Sequence, residues 1–307
     1  MSSSKERVFV IGASGNIGSG VVRGLVKQQI DTTAYVRDEQ KAKDLFKDEL
    51  VTGHLTIVVG TYSSIDLYTK VIQGHTRLFI LLVDDDKNPA VKSQNKEIFG
   101  KIAFEQGVRQ IVDLSSFTVR TNGKQGIIGY INTTAEEKLW TLAEENPEQR
   151  SIVVLRPAVF MTNHFFTGDT HNVKNTSKLV SCGPPSALTT WVDPQDVYDC
   201  AVVILTEPVE KHDRYIYEIG GEVLSNEQRA AVFTKVLGKP IIYEQQSIED
   251  FYKAYTGFGL THSYIYDVIS LFLNGSGGNV TPQLAILINR PLRTLEQWLE
   301  NNIKAFQ

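Results

Sequence analysis

The sequence predicts a doubly wound α/β protein, a parallel sheet wrapped by helices, and two observations carry that expectation. Apolar strand-like runs alternate with helix-like segments through the first half of the chain, at residues 7–11, 32–36, 55–59, 78–83, 110–114 and 152–155. A glycine-rich turn, Gly12-Ala13-Ser14-Gly15-Asn16-Ile17-Gly18, joins the first run to a segment with Ile17, Val21, Val22 and Leu25 at helical spacing.

Each element then takes its place in order. The glycines after Val8-Phe9-Val10-Ile11 suit a tight turn, a close backbone approach to a pyrophosphate and close packing of helix on strand, while the free N–H groups of the helix start attract negative charge. At the end of the second run, roughly 20 residues on, NAD-binding chains usually carry an acid for the ribose 2'-hydroxyl. Here that place holds Arg37, followed by Lys41. A guanidinium cannot accept a hydrogen bond but can clasp a 2'-phosphate, so NADP is expected over NAD. The bland alternative is a solvated Arg37 paired with Asp38 or Glu39. Right-handed crossovers bring Gly12, Arg37, Gly60, Leu82, Ser115 and Ser116 to one sheet edge, where ligands of such folds bind.

Past Arg156-Pro157 the pattern loosens. The aromatic run from Phe160 to Phe166 either lines a pocket over the nicotinamide or seals the junction between two lobes. Asp193-Pro194 reads as a helix start, with Asp193 as N-cap and Asp196 in the first turn, so both carboxylates are assigned structural roles. Ser225 to Gln228 and Thr294 to Gln297 are capping boxes, and Gly238-Lys239-Pro240 is a helix stop.

Composition narrows the function classes. At 307 residues and 42% hydrophobic, the chain can bury a large core and accommodate one large domain plus a smaller lobe. A net charge of −4 with no basic block argues against direct nucleic-acid binding. Cys182 and Cys200 with six scattered histidines offer no metal pattern and fit a reducing compartment. The N-terminal residues lack the apolar stretch of a signal peptide. The uncharged stretch 268–289 is broken by Asn274 to Asn279 and by Pro282, so it reads as helix, loop and short helix rather than a membrane span. A cytoplasmic protein is expected, with nuclear entry left open.

Taken together, the glycine loop, Arg37, Val154-Leu155-Arg156-Pro157 before Phe160-Met161-Thr162-Asn163, Trp191 to Asp196 and Arg290-Pro291-Leu292-Arg293-Thr294-Leu295 resemble the NmrA-like proteins, atypical short-chain dehydrogenase/reductases, over nearly the whole chain. The resemblance implies a Rossmann domain over 1–157, completed by about 187–220, and a smaller, mainly helical C-terminal lobe over 158–186 and 221–307, with a cleft between. It implies NADP(H) held by Gly12, Ser14, Gly15, Asn16, Ile17, Gly18, Arg37, Lys41, Gly60, Thr61, Leu82, Ser115, Ser116, Pro157 and Phe160. Some members of that family are reductases; others sense the NADP state and regulate a partner such as a transcription factor.

Reductases of this class need a proton donor beside a cation, most often Tyr with Lys one helical turn later. Here Tyr130-Ile131-Asn132-Thr133-Thr134 ends in Thr, and Asn132 to Thr134 offer only amide and hydroxyl groups. Tyr130, Lys138 and Ser115 are the remaining catalytic candidates. Lys138 falls beside the buried stripe and is expected to be solvated, and Ser115 and Ser116 are expected to make room for cofactor. The family's Gly-Asp pair after the third strand is Gly60-Thr61 here. The expectation is a regulator acting through protein contacts with little dehydrogenase activity; the alternative is an NADPH-dependent reductase of quinones or other small carbonyl or imine compounds.

Overall fold

The computed structural model describes residues 6–119, 126–275 and 280–307. Residues 1–5, 120–125 and 276–279, the last of these within the expected loop, lie outside them. The chain divides into two units, one of Met1–Asn122, Gly129–Arg156 and Val197–Tyr217, the other of Gly123–Ile128, Pro157–Asp196 and Glu218–Gln307. In chain order the elements are β1 (Arg7–Ile11), α1 (Asn16–Lys27), β2 (Asp31–Val36), α2 (Glu39–Leu45), α3 (Lys47–Leu50), β3 (Leu55–Val59), α4 (Ile65–Val71), β4 (Arg77–Ile80), α5 (Ala90–Glu105), β5 (Gln110–Leu114), α6 (Ile127–Glu144) and β6 (Ser151–Pro157). They continue as β7 (Val159–Phe160), α7 (Asp169–Thr176), β8 (Lys178–Ser181), β9 (Leu188–Val192), α8 (Pro194–Thr206), α9 (Val209–His212), β10 (Ile216–Ile219), β11 (Glu222–Ser225), α10 (Asn226–Leu237), β12 (Ile242–Gln245), α11 (Ile248–Gly257), α12 (His262–Asn274), α13 (Leu284–Ile288) and α14 (Leu295–Asn301).

A seven-stranded sheet runs in the order β10-β6-β5-β4-β1-β2-β3. The β1–β2, β2–β3, β1–β4, β4–β5 and β5–β6 pairs are parallel. Strand order reverses between β1 and β4, so the loops after those strands diverge and open the crevice where ligands of this fold class sit. Burial on both faces explains why β4 and β5 read as near-continuous apolar runs without alternation. On one face Phe9, Leu78, Ile80, Ile111 and Ile152 share a core with Tyr68, Phe99 and Leu139 from α4, α5 and α6. Beside β1, α1 meets α8 so closely that a Cβ on Gly20 would lie 2.1 Å from the Tyr198 ring.

Two strand expectations change. The fourth run stops at Ile80 instead of continuing to Val83, because the acids that follow make turns: Asp85 accepts hydrogen bonds from the N–H groups of Lys87 and Asn88, both at 3.0 Å. A further strand, β10, adds beside β6, with Arg214 N–H donating to Ile152 O and Val154 N–H to Tyr215 O, each at 3.0 Å. Its mixed Ile-Tyr-Glu-Ile composition gave no apolar run to detect.

The second unit combines α10 to α14 with a three-stranded sheet, β11-β9-β7, and a two-stranded one, β12-β8. Trp191, Phe233, Leu295, Trp298 and Phe306 form its core. Both capping boxes are present, Ser225 with Gln228 and Thr294 with Gln297, and Gly238 ends α10 with φ +65°. Asp193 Oδ1 accepts from Gln195 N–H at 2.8 Å, opening α8 as its spacing predicts.

His75, preceding β4, supplies a pH-dependent part of the stability. Its Nδ1 lies 3.0 Å from Ile72 O and its Nε2 2.9 Å from Thr33 Oγ1, and burial pushes its pKa from 6.5 down to about 4. A depressed histidine pKa means the unfolded chain binds the proton more readily. The stability is therefore fully present above about pH 6.5 and is lost as pH falls toward 4, by up to about 3 kcal/mol. Urea unfolding between those limits should show a shallower acid loss in His75→Gln than in the parent; equal slopes would overturn this assignment.

Candidate functional site

The glycine loop is built as a cradle. Gly12 has φ +80°, a conformation side chains rarely adopt, and a Cβ there would sit 2.6 Å from Leu81 O of the loop after β4. Gly15 N–H donates to Gly12 O at 3.0 Å, and α1 begins at once, without an acid in its first turn and without a side-chain cap on Gly15. That leaves a helix start whose N–H groups no side chain caps, the arrangement that attracts a phosphate. A Cβ on Gly18 would lie 2.1 Å from Gly12 O, so the loop and helix close together only through glycine. Ser14, Gly15 and Asn16 are partly or fully exposed, whereas Ile17 and Gly18 are buried and contribute backbone alone.

Arg37 emerges at the end of β2, exposed, and the carboxylates beside it are engaged elsewhere. Asp38 caps α2 by accepting from Lys41 N–H at 2.9 Å, and Glu39 pairs with Lys43 at 2.7 Å. Among the described residues no ion pair reaches Arg37, and Lys41 is likewise exposed nearby on α2. Tyr62, which sequence reasoning did not single out, joins this corner: burial raises its pKa, opposed by the charge of Arg37 and a hydrogen bond to the backbone of Val83. Gly60 is buried, and a Cβ there would lie 2.2 Å from the Tyr35 hydroxyl, which in turn donates to Thr61 O at 2.8 Å. Packing against Tyr35 thus accounts for Gly60, and Thr61 anchors the start of α4 through its N–H to Ser64 Oγ at 3.1 Å. The Leu82 side chain belongs to the core, so it offers a ligand only its backbone.

At the ends of β5 and β6 lies a buried polar network that sequence reading missed. Ser115 donates to Glu136 of α6, and Arg156 grips the same carboxylate through Nε at 3.0 Å and Nη2 at 2.5 Å. Lys92, in the first turn of α5, donates to Asp84 Oδ1 and to Asn132 Oδ1, both at 2.7 Å. One turn along, Lys96 lies against Asp113 and donates to Leu114 O at 3.2 Å; burial lowers its pKa, with Asp113 opposing. The only hint in the chain was Lys92 and Lys96 four apart on one helix face, a spacing equally usual on solvated helices. Ser116 makes a local turn instead, accepting from Thr118 N–H at 3.2 Å and Thr118 Oγ1 at 2.9 Å.

The catalytic candidates do not converge. Tyr130 is 47% exposed. Thr134 returns its hydroxyl proton to Tyr130 O at 2.9 Å, and Lys138 reaches out to Glu97 at 3.1 Å. Eight residues, roughly 12 Å of helix rise, separate Tyr130 from Lys138, too far for a donor–cation couple. Ser115 is held by Glu136.

In the second unit Pro157 is buried at the end of β6 and Phe160 is half-buried in β7 beside Val192. Within the aromatic run His164 is fully buried, stacked on Trp191 and 2.7 Å from Asp169, and Phe165 packs on Trp298 and Phe306, so these two serve this unit's core, while Phe166 is exposed. Asp196 binds Arg290 at 2.5 Å and Arg293 N–H at 2.9 Å, the structural role expected of it. Among the described residues no cluster of His, Cys, Asp or Glu could hold a metal, and no helix is long and apolar enough to cross a membrane.

Comparison with known proteins agrees with this architecture. The chain is 22% identical to an NAD(P)H azoreductase of Xenophilus azovorans over 97% of its own length and 99% of the relative's. A solved NADPH-dependent quinone oxidoreductase of Escherichia coli in complex with NADPH matches with TM-score 0.77 at 19% identity, covering 96% of this chain and 99% of that one. NmrA, a negative transcriptional regulator solved in complex with NAD, matches with TM-score 0.75 at 14% identity, covering 99% and 97%. The structural likenesses establish a Rossmann-type fold. The model of the NmrA-like family matches residues 4–274, and on that match the chain belongs to the NmrA-like family.

Proposed function

We propose that this protein binds NADP(H) on the glycine cradle and at Arg37, and acts as a regulatory redox-state sensor through NADP-dependent contacts with a partner protein such as a transcription factor. The observation that carries the reading is a complete cradle with an unneutralised guanidinium beside it, on a chain whose Tyr130 and Lys138 form no proton-donating couple. The relatives named above use or bind nicotinamide dinucleotides, which supports the cofactor class, and NmrA supports the regulatory role. A second reading, NADPH-dependent reduction of a small quinone, carbonyl or imine compound, is favoured by the buried Lys92 ammonium beside Asn132 and by the likeness to reductases. In that case NADPH would supply the hydride.

Tryptophan fluorescence titration with NADPH and NADH tests the cofactor assignment. NADPH should bind more tightly, and Arg37→Ala should erase at least about tenfold of that preference by removing charge-assisted hydrogen bonds. Equal binding of the two dinucleotides by the parent chain would refute it. Recovery of partner complexes from cytosolic and nuclear extracts, with and without NADP or NADPH, tests the role. A complex whose yield follows the nucleotide supports the sensor, whereas NADPH oxidation above about 1 per second with a quinone or imine supports the reductase.

A further inference from the structure

We infer that the solvent side of the α11–α12 hairpin is the contact between two copies of this chain, which meet about a two-fold axis and form a four-helix bundle. The short connection between α11 and α12 makes them antiparallel neighbours, and Phe251, Ile265 and Ile269 pack their inner side against buried Cys182. On the other side a groove of about 450 Å³ runs between Ile248, Glu249, Tyr252 and Lys253 of α11 and Tyr266 and Leu273 of α12. The spacings, i, i+1, i+4 and i+5 on α11 and i, i+7 on α12, put each set on one helix face.

This groove is apolar where a solvated helix pair would carry charge. Asp267 is the one acid or base among Asp, Glu, Lys and Arg on α12, and it accepts from Ile128 N–H at 3.0 Å. From Val268 to Asn274 the helix is uncharged, the same stretch whose apolar character the sequence displays. Ile248 is nonetheless 43% exposed and Tyr266 63%. The only charged side chains lining the groove are Glu249 and Lys253, both exposed and one helical turn apart. Their i, i+4 spacing suits a pair within the helix, yet among the described residues Glu249 makes no ion pair and Lys253 lies 3.9 Å from Asp250. A small ion would be attracted by one of the two and repelled by the other. A second copy answers both. When α11 lies antiparallel against α11 of the second copy, Glu249 stands opposite the second copy's Lys253 and Lys253 opposite its Glu249, while Ile248, Tyr252 and Tyr266 of both copies cover the apolar groove.

Sedimentation velocity of the full chain tests this, and the parent should form a dimer at or below about 100 µM. Tyr266→Lys, at an exposed position, should weaken the dimer by more than about tenfold. Glu249→Lys and Lys253→Glu each set like charges opposite one another twice per dimer, and each should weaken it by about tenfold at low salt. Mixing those two variants should restore assembly as a heterodimer, because each then meets its opposite charge across the interface. An effect confined to one helix cannot produce that rescue. Circular dichroism of every variant should match the parent. A parent that stays monomeric at about 100 µM, a dimer indifferent to Tyr266→Lys, or no recovery on mixing would each overturn the inference. A monomeric parent that takes up anilinonaphthalenesulfonate, with uptake lost in Tyr266→Lys, would assign the groove to a small apolar ligand instead.

Discussion

Lys96→Met is expected to destabilise the protein by about 3–5 kcal/mol, because it removes one partner of an ion pair in which both side chains are fully buried. Asp113 stands in the centre of β5, between Ile80 of β4 and Val154 of β6, and is itself fully buried. Leu114 O loses its donor in the same substitution. The pair as a unit has a different value from either half. Replacing both members by apolar residues, Lys96→Met with Asp113→Leu, should recover most of the loss, since desolvating two charges already offsets much of their attraction. Urea unfolding of the two single variants and the double variant measures the coupling. A single-variant loss below about 1 kcal/mol would show that the charges are better solvated than their burial implies.

Gly18→Ala is expected to weaken NADPH binding by more than tenfold and to lower stability by about 1–3 kcal/mol. The added carbon would meet Gly12 O at 2.1 Å and Gly12 C at 2.7 Å, both backbone atoms, so the loop itself must move and the N–H groups of the α1 start move with it. Gly53→Ala is the control. Its φ of +77° also makes a side chain unfavourable, by about 1 kcal/mol, yet nothing lies within 4 Å of the new carbon and no part of the cradle is near it in sequence. It should lose stability and keep NADPH affinity. Fluorescence titration showing parent-like affinity in Gly18→Ala would remove the glycine loop from the cofactor site.

The candidate site was legible where a residue type has only local work to do. Gly12 and Gly18 announce a turn that excludes side chains, Arg37 announces a charge at a strand end, and Asp193-Pro194, Ser225 to Gln228 and Thr294 to Gln297 announce helix starts. All these local arrangements are present in the structure. Strands β1, β4, β5 and β6 were legible for a related reason, since burial on both faces favours continuous apolar residues, whereas the half-exposed edge strand β3 was legible only from its own apolar run, Leu55 to Val59. The edge strand β10, half-exposed and mixed in composition, carries no such mark.

The amino-acid sequence alone therefore determined the alternation of strands and helices, the glycine cradle and the positive corner at Arg37. Tertiary structure alone decided that Lys92 meets Asn132, that Lys96 meets Asp113, that Arg156 and Ser115 converge on Glu136, and that Tyr130 and Lys138 stay apart. The physical reason is range. Turns, caps and amphipathic stripes are settled by neighbours within a few residues, whereas a buried charge finds its partner only when strands and helices distant in sequence pack together and exclude water.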